Sequence, residues 1–221
     1  MRVNQFIAHA TGLSRRAADT AVAAGRVRVN DQLASAGQQV GTDDTVQLDK
    51  RVLTLPSAYQ TIVFNKPKGY VTSRRRQGTG KTIYTLLPDH FHRLKPVGRL
   101  DKDSSGLLLL TDDGDLAQTL QHPSAGKIKR YRVGLDRPLD GAARERIQAG
   151  VRLSDGLSRL QLVEEKGKTV EVELVEGRNR QVRRTFEVLG YTVVALHRTH
   201  FGDVTLDGLK EGAWRPVELR P

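Results

Sequence analysis

The sequence predicts an α+β fold, in which a mixed sheet with flanking helices follows a small unit of two helices and a sheet. Segments with the apolar pattern of strands outnumber the helical segments and do not alternate regularly with them, which favours α+β over α/β. A chain of 221 residues, 38% of them hydrophobic, is long enough for one ordinary domain and one small domain.

The N-terminal segment predicts two short helices. Apolar residues recur at helical spacing through residues 3–10, and Gly12 ends that pattern. The hydroxyl of Ser14 can cap a second, alanine-rich helix that runs to Ala24. Gly25 suits the left-handed position that follows a helix. We therefore expect a pair of helices before residue 26.

Two short strands and a linker should follow these helices. Residues 26–29 alternate polar and apolar side chains, Asn30 and Asp31 form a turn, and residues 45–48 have the pattern of another strand. Residues 50–59 have no periodicity and indicate a linker. We place the small domain at 1–52, the linker at 53–60 and the large domain at 61–221.

The large domain should open with a buried strand at residues 61–64, followed by a turn at 65–69. A helix is predicted from Gln181 to Leu189, where Gly190 ends it. The further predicted strands are residues 107–110, 170–175 and 192–196.

Composition restricts the function. The chain has 36 Lys and Arg against 25 Asp and Glu, a net charge of +11, so polyanions are natural partners. With no cysteine, disulfides, thiolate metal sites and cysteine catalysis are excluded. No apolar run approaches the roughly 18 to 20 residues of a membrane helix, and no secretory signal is evident. We expect a cytoplasmic protein without a membrane partner, and a monomer by default.

The most informative segment is residues 98–106, Gly-Arg-Leu-Asp-Lys-Asp-Ser-Ser-Gly, which leads directly into the buried strand. A loop anchored to a strand holds its side chains firmly, and Arg99 could keep Asp101 ionised as a base or nucleophile. The same spacing is also typical of a structural salt bridge or a turn cap. Spacing alone leaves both interpretations open.

Residues 98–101 and 105–111 together resemble the signature of the RsuA-type ribosomal pseudouridine synthases. The N-terminal part resembles the S4-like RNA-binding module in residues 13–16, 24–27 and 29–30. Further blocks of the synthase pattern occur in the expected order at residues 65–70, 129–133, 176–184 and 209–216. The likeness therefore covers nearly the whole chain.

This resemblance implies a catalytic domain with a mainly antiparallel sheet, and an enzyme that isomerises uridine in RNA without a cofactor. It implies that Asp101 is the catalytic carboxylate, that Tyr131 stacks against the target base and that Arg183 pairs with Asp101. A carboxylate suits this chemistry because breaking a glycosidic bond develops positive charge on the sugar. Asp101 could equally abstract a sugar proton or form a covalent adduct. Arg99 is a further candidate for keeping Asp101 ionised.

Several arginines are candidates for phosphate contacts, where cations release counterions from RNA. The plain alternative is a solvated basic surface. The candidates are Arg15, Arg16, Arg26, Arg28, Arg178, Arg180 and Arg184.

Three other sequence features give weaker evidence about function. Asp103 is interpreted as a surface cap rather than a second catalytic acid. Residues 74–76 with Lys81 form a basic loop that RNA could contact. Two pairs of histidines, at positions 90 and 92 and at positions 197 and 200, have no acidic cluster near them in the sequence, so no metal site is expected.

Two classes of function remain. The first is an isomerase of a uridine in ribosomal RNA, with ribosomal RNA or a pre-ribosomal particle as partner. Residues 177–181 look closer to the large-subunit members of the family, whereas small-subunit or transfer RNA is an alternative substrate. The second is a noncatalytic RNA-binding or ribosome-assembly protein that keeps the same fold.

Overall fold

A computed structural model describes residues 1–74 and 80–219. These residues form two compact units. The first contains Met1–Gln60, Arg93–Lys95 and Thr111–Gly114, and the second contains the other described residues. Within the described part of the chain, no helix is long and apolar enough to cross a membrane.

The first unit begins with the two predicted helices, α1 (Val3–Thr11) and α2 (Arg15–Ala23). Gly12 ends α1 with a φ of 75°. The Ser14 hydroxyl accepts a hydrogen bond from the backbone N–H of Ala17 at 3.1 Å, so it satisfies one of the amides that a helix leaves unpaired at its start. Both predicted boundaries are confirmed.

The first unit also contains a four-stranded sheet in the order β2-β1-β3-β4. Asn30 and Asp31 adopt φ of 49° and 62°, as a tight hairpin turn requires. The prediction of a linker from residue 50 is wrong at its start, because residues 51–53 form an edge strand on β3. So short a strand, with one buried side chain, carries no readable periodicity. The strands are β1 (Val27–Val29), β2 (Gln32–Leu33), β3 (Val46–Leu48) and β4 (Arg51–Leu53).

The second unit is built around a nine-stranded sheet with the path β11-β12-β8-β13-β7-β5-β15, in which β14 pairs with β13 and β6 with β7. Its strands are β5 (Thr61–Lys66), β6 (Lys95–Val97), β7 (Ser105–Thr111), β8 (Lys129–Leu135), β11 (Gln161–Lys166), β12 (Thr169–Leu174), β13 (Val193–Phe201), β14 (Val204–Thr205) and β15 (Trp214–Pro216). A separate hairpin consists of β9 (Val151–Leu153) and β10 (Gly156–Ser158). The sheet is mixed, since β13 runs parallel to β7 and antiparallel to β8.

Helices accompany this sheet, so the predicted α+β class is confirmed. They are α3 (Gly114–Gln121), α4 (Gly141–Ala149) and α5 (Gln181–Val188), with short 3₁₀ turns at Ile83–Leu86, Asp89–Phe91 and Pro123–Ala125. Every residue of β5 and β7 is buried. Leu107 and Leu109 of β7 pack with Leu116 and Leu120 of α3. This buried central strand is the support on which the preceding loop, residues 98–104, rests.

Candidate active site

The loop between β6 and β7 carries Asp101 and is fixed on both sides of it. Leu100 is buried, and its carbonyl oxygen accepts a 2.8 Å hydrogen bond from the hydroxyl of Thr72. The backbone N–H of Ser104 donates to the carbonyl oxygen of Asp101 at 3.1 Å. The side chain of Asp101 itself is 36% exposed. The backbone is therefore held in place while the carboxylate stays accessible.

Lys66, at the end of β5, lies beneath this loop. Its side chain is fully buried, and Nζ donates to the carbonyl oxygens of Pro67 at 3.0 Å, Asp101 at 3.0 Å and Ser104 at 2.7 Å. Burial lowers the pKa of Lys66 to about 8, although the nearby carboxylates of Asp101 and Asp103 oppose that shift. This role was not identified from the sequence. The position of Lys66, just after the buried strand pattern of residues 61–64, could have indicated that its side chain is buried.

A cleft of about 390 Å³ opens at Asp101. Tyr131, on β8, lines the same cleft and is 9% exposed. The structure therefore brings together the two side chains that the resemblance assigned to chemistry and to base stacking. Three of the predicted arginines also line the cleft, namely Arg99, Arg178 and Arg180.

The predicted ion pair of Arg183 with Asp101 is wrong. Nε of Arg183 lies 3.3 Å from a carboxylate oxygen of Asp103, and Nη2 donates to the Asp103 carbonyl oxygen at 2.9 Å. Asp101 instead has Arg180 as its ion-pair partner, at 3.7 Å. Arg99 is exposed and forms no ion pair within the described residues. Arg180 immediately precedes α5 and Arg183 lies in its first turn, and Asp103 contacts both.

Asp103 is therefore an ion-pair centre and not the surface cap that we predicted. Arg180 donates to its two carboxylate oxygens at 3.1 and 3.2 Å. Partial burial raises the pKa of Asp103, but the hydrogen bonds from Arg180 and the charges of Arg183 and Arg180 outweigh burial and hold this pKa below the usual carboxyl value. Two carboxylates and two arginines thus form one cluster, of which Asp101 and Arg180 line the cleft.

Arg178 and Arg184 both bind Asp155, in the turn between β9 and β10. Nη1 of Arg178 and Nη2 of Arg184 each donate to an Asp155 carboxylate oxygen at 2.8 Å. Arg178 also donates to the carbonyl oxygen of Leu157 at 3.0 Å. These contacts tie the hairpin to the start of α5. That Arg178 and Arg184 contact RNA remains a prediction. Of these two arginines, Arg178 lines the cleft.

The four arginines predicted to bind RNA from the first unit, Arg15, Arg16, Arg26 and Arg28, are all exposed. They differ in their surroundings. Arg26 donates to the carboxylate of Asp49 at 2.8 Å, and Arg28 donates to the carbonyl oxygen of Asp31. Their RNA contacts also remain a prediction.

In the predicted basic loop, Arg74 donates to the carbonyl oxygen of His92 and lies over the ring of Tyr84. Arg75 and Arg76 lie outside the described residues. The histidines show structural partners: the imidazole of His92 lies 2.8 Å from the carbonyl oxygen of Tyr84. Nδ1 of His197 lies 2.9 Å from the hydroxyl of Ser105.

Comparison with known proteins gives consistent matches. Residues 60–188 match the family described as RNA pseudouridylate synthase, and residues 1–46 match the S4 domain. An uncharacterized RNA pseudouridine synthase of Aquifex aeolicus is 35% identical, over 98% of this chain and 90% of its own length. The dual-specificity RNA pseudouridine synthase RluF of Salmonella typhi is 35% identical, over 98% of this chain and 75% of its own.

Two further matches extend this comparison. The ribosomal large subunit pseudouridine synthase B of Haemophilus influenzae is 34% identical over 99% of this chain, which spans 65% of that protein. A crystal structure of a pseudouridylate synthase has a TM-score of 0.71 at 32% identity and covers 99% of this chain and 96% of its own. Both units of the chain therefore have counterparts in one solved protein.

Proposed function

The chain belongs to the RNA pseudouridine synthase family, and we propose that it isomerises a specific uridine of large-subunit ribosomal RNA, with Asp101 as its catalytic carboxylate. The single observation that carries the assignment of Asp101 is its position: an accessible carboxylate on an immobilised loop, in one cleft with Tyr131. A group held in this way needs little rearrangement when charge develops beside it.

The proposed chemistry starts with the target uridine turned out of its RNA and placed in the cleft. Tyr131 stacks against the uracil ring, a type of contact worth roughly 1 to 3 kcal/mol per base. The carboxylate of Asp101 faces the sugar. There it stabilises the positive charge that develops as the glycosidic bond breaks, attacks C1′, or removes a sugar proton.

Arg180 has a defined place in this proposal. It lies 3.7 Å from Asp101 and is held more closely by Asp103. Its closer hydrogen bonds to Asp103 leave the Asp101 carboxylate free for the sugar. We propose that Arg180 supports the active site, a role that the sequence had assigned to Arg183 and Arg99.

The choice of substrate rests on relatives and on charge. The Haemophilus relative is named for the large ribosomal subunit, and the Salmonella relative for dual specificity. The net charge of +11 and the match to the S4 domain at residues 1–46 suit a structured RNA. An enzyme of ribosomal RNA meets its substrate where ribosomes are assembled, so we place it in the cytoplasm, and we propose that it acts as a monomer.

The test is a conversion assay on unmodified ribosomal RNA. Purified protein is incubated with large-subunit, small-subunit and transfer RNA transcripts, and pseudouridine is mapped in each product. We expect one site in large-subunit RNA. Conversion in another RNA would refute the subunit assignment. No conversion in any RNA or precursor particle would favour the noncatalytic RNA-binding alternative.

Two matched variants test the role of Asp101. Asp101→Asn keeps the shape of the side chain and removes its charge, so product should disappear while RNA affinity changes little. Asp203→Asn makes the same chemical change at an exposed position and should leave the rate unchanged. Near-normal turnover by Asp101→Asn would show that the chemistry belongs to another residue.

A further inference from the structure

Arg198, on β13, is a buried arginine that the reaction described above does not use. It lines the cleft with Asp101 and Tyr131, and only 3% of its surface is exposed. Nε donates to the carbonyl oxygen of Leu107 at 2.7 Å, and Nη1 lies 3.5 Å from the hydroxyl oxygen of Tyr131. Nη2 is buried without a hydrogen-bond partner.

The charge of Arg198 is not neutralised by an acidic side chain. Among the described residues, no carboxylate forms an ion pair with it, and its compensating contacts are a carbonyl oxygen, a phenol oxygen and the ring of Phe201, whose centroid is 5.4 Å away. The ammonium of Lys129, another cation of this cleft, has a pKa lowered by burial and by the charge of Arg198. The floor of the cleft is therefore positive.

An unpaired buried charge is costly to folding, because it loses its hydration without gaining an opposite charge. A negative charge that arrives in the cleft would recover part of that cost. A phosphate is a poor candidate for direct contact, since Nη2 has no accessible surface from which to donate. An anion stacked on Tyr131 would lie near the charge without having to touch it, and a buried site weakens the screening between them.

The reaction itself produces such an anion. When the C1′–N1 bond breaks, its electron pair stays on N1, and uracil is released as an anion delocalised over N1 and its two carbonyl oxygens. The base then turns, C5 bonds to C1′, C5 loses its proton and N1 takes one. Every route left open for Asp101 passes through this release. The sugar becomes an oxocarbenium ion, gains the Asp101 oxygen at C1′, or loses its C2′ proton to form a double bond, and in each case the electron pair of the C1′–N1 bond leaves with the base.

We propose that Arg198 is a positioning residue that holds Tyr131 and, through it, places a fixed positive charge against the uracil anion formed when the glycosidic bond breaks. This inference rests on the proposed function, in which uracil stacks on Tyr131. The sugar and the base, which develop opposite charges as the bond breaks, are then each stabilised by a residue of the opposite charge. Asp101 faces the positive sugar, and Arg198 stabilises the negative base.

Two variants separate charge from hydrogen bonding. Arg198→Gln keeps an amide donor at the position of Nε, where it can donate to Leu107, and removes the charge. Arg198→Lys keeps the charge but loses the planar fork of donors. Arg132→Met is the matched control, because Arg132 is the next residue on β8 after Tyr131 and its exposed side chain pairs with Glu171.

The rates are measured in single turnovers at saturating protein, on the transcript converted by the wild type and on the same transcript made with 5-fluorouridine. Fluorine at C5 withdraws electrons and stabilises the base anion without help from the protein. Loss of the original nucleoside is followed, because the fluorinated base cannot shed fluorine as uracil sheds its proton. Binding to the RNA is measured separately.

We expect Arg198→Gln to slow uridine conversion about 100-fold, the size of effect seen when one electrostatic stabiliser is removed, with RNA affinity little changed. The loss on 5-fluorouridine should be at least several-fold smaller. Arg132→Met should match the wild type. An equal loss on both substrates would show a purely structural role and overturn the proposal, as would a normal rate.

If Arg198→Gln does not fold, Arg198→Lys decides the question. It should be slower than the wild type on both substrates and keep the wild-type ratio of the two rates, because its charge remains. A ratio shifted toward 5-fluorouridine would contradict the proposal. Absence of conversion by the wild type itself is a different result: it refutes the proposed function, and the inference falls with it.

Discussion

Nζ of Lys66 donates a 3.0 Å hydrogen bond to the carbonyl oxygen of Asp101, so a buried cation holds the backbone that presents the proposed catalytic carboxylate. The same Nζ also donates to the carbonyl oxygens of Pro67, the next residue along the chain, and of Ser104, at the end of the Asp101 loop. One ammonium group thus joins the end of β5 to the loop before β7. Carbonyl oxygens hydrogen-bond the ammonium but carry no full negative charge to offset its burial.

The stability of the protein should therefore depend on the protonation of Lys66 in alkaline solution. Burial lowers its pKa to about 8 from 10.5. Between these values the unfolded chain keeps a proton that the folded chain has released, so the free energy of unfolding rises with pH. Relative to Lys66→Met, the wild type should gain about 2 kcal/mol between pH 7.5 and 10. Denaturant titrations of both proteins across this range measure it, and a constant difference would contradict it.

Asp103→Asn should lower the rate without unfolding the protein. Asp103 holds Arg180 with two hydrogen bonds. Without the negative charge of Asp103, Arg180 should pair more closely with Asp101 and compete with the sugar for that carboxylate. We expect a rate about tenfold lower, equivalent to about 1.4 kcal/mol. Since Asp103 is 48% exposed, the free energy of unfolding should change by less than about 1 kcal/mol. Single-turnover rates and thermal melts test both expectations, and an unchanged rate would refute the competition.

Much of the fold could be predicted because its signals are local. The ends of α1 and α2 are marked by a capping serine and by glycines, and the leucine run of β7 is a short apolar segment between turn residues, which favours a buried strand. Edge strands were missed: β4 has one buried side chain, and β11 has none. Such strands are specified by the partner on which they pair, which the local sequence does not contain.

The family was recognised from ordered motifs, and that prediction is confirmed. The pairing inside the site could not be predicted, because Arg183 and Asp103 lie 80 positions apart and long side chains on one helix face can each reach several acceptors. Lys66 and Arg198 were missed for a different reason. Both are buried cations, and burial of a charged residue depends on tertiary contacts that oppose its usual preference for the surface.

The arginines of the first unit should contribute unequally to RNA binding. Arg26 already pairs with Asp49, whereas Arg16 is exposed on the first turn of α2 and has no acidic ion-pair partner within the described residues. A phosphate contact adds about 0.7 to 0.9 to the slope of log affinity against log salt. Arg16→Gln should lower that slope by about this amount, and Arg26→Gln by clearly less. Binding titrations at several salt concentrations measure both slopes, and equal slopes for all three proteins would exclude Arg16 as a contact.

Gly106, at the start of β7, should tolerate no side chain. Its φ is +107°, and a Cβ atom there would lie 2.3 Å from the backbone oxygen of Arg198 on the neighbouring strand β13. Both the left-handed conformation and the backbone clash oppose an L side chain, so Gly106→Ala should reduce the free energy of unfolding by about 3 kcal/mol or more.

Gly141→Ala is the matched control. Gly141 has no positive φ and open space at its Cβ position, at the start of α4, so the change should be neutral or stabilise the protein by about 0.5 kcal/mol. Urea denaturation of the three proteins measures these differences. If Gly106→Ala were as stable as the wild type, β7 and β13 could not approach each other as closely as this structure places them, and the position of Arg198 beneath the cleft would have to be revised.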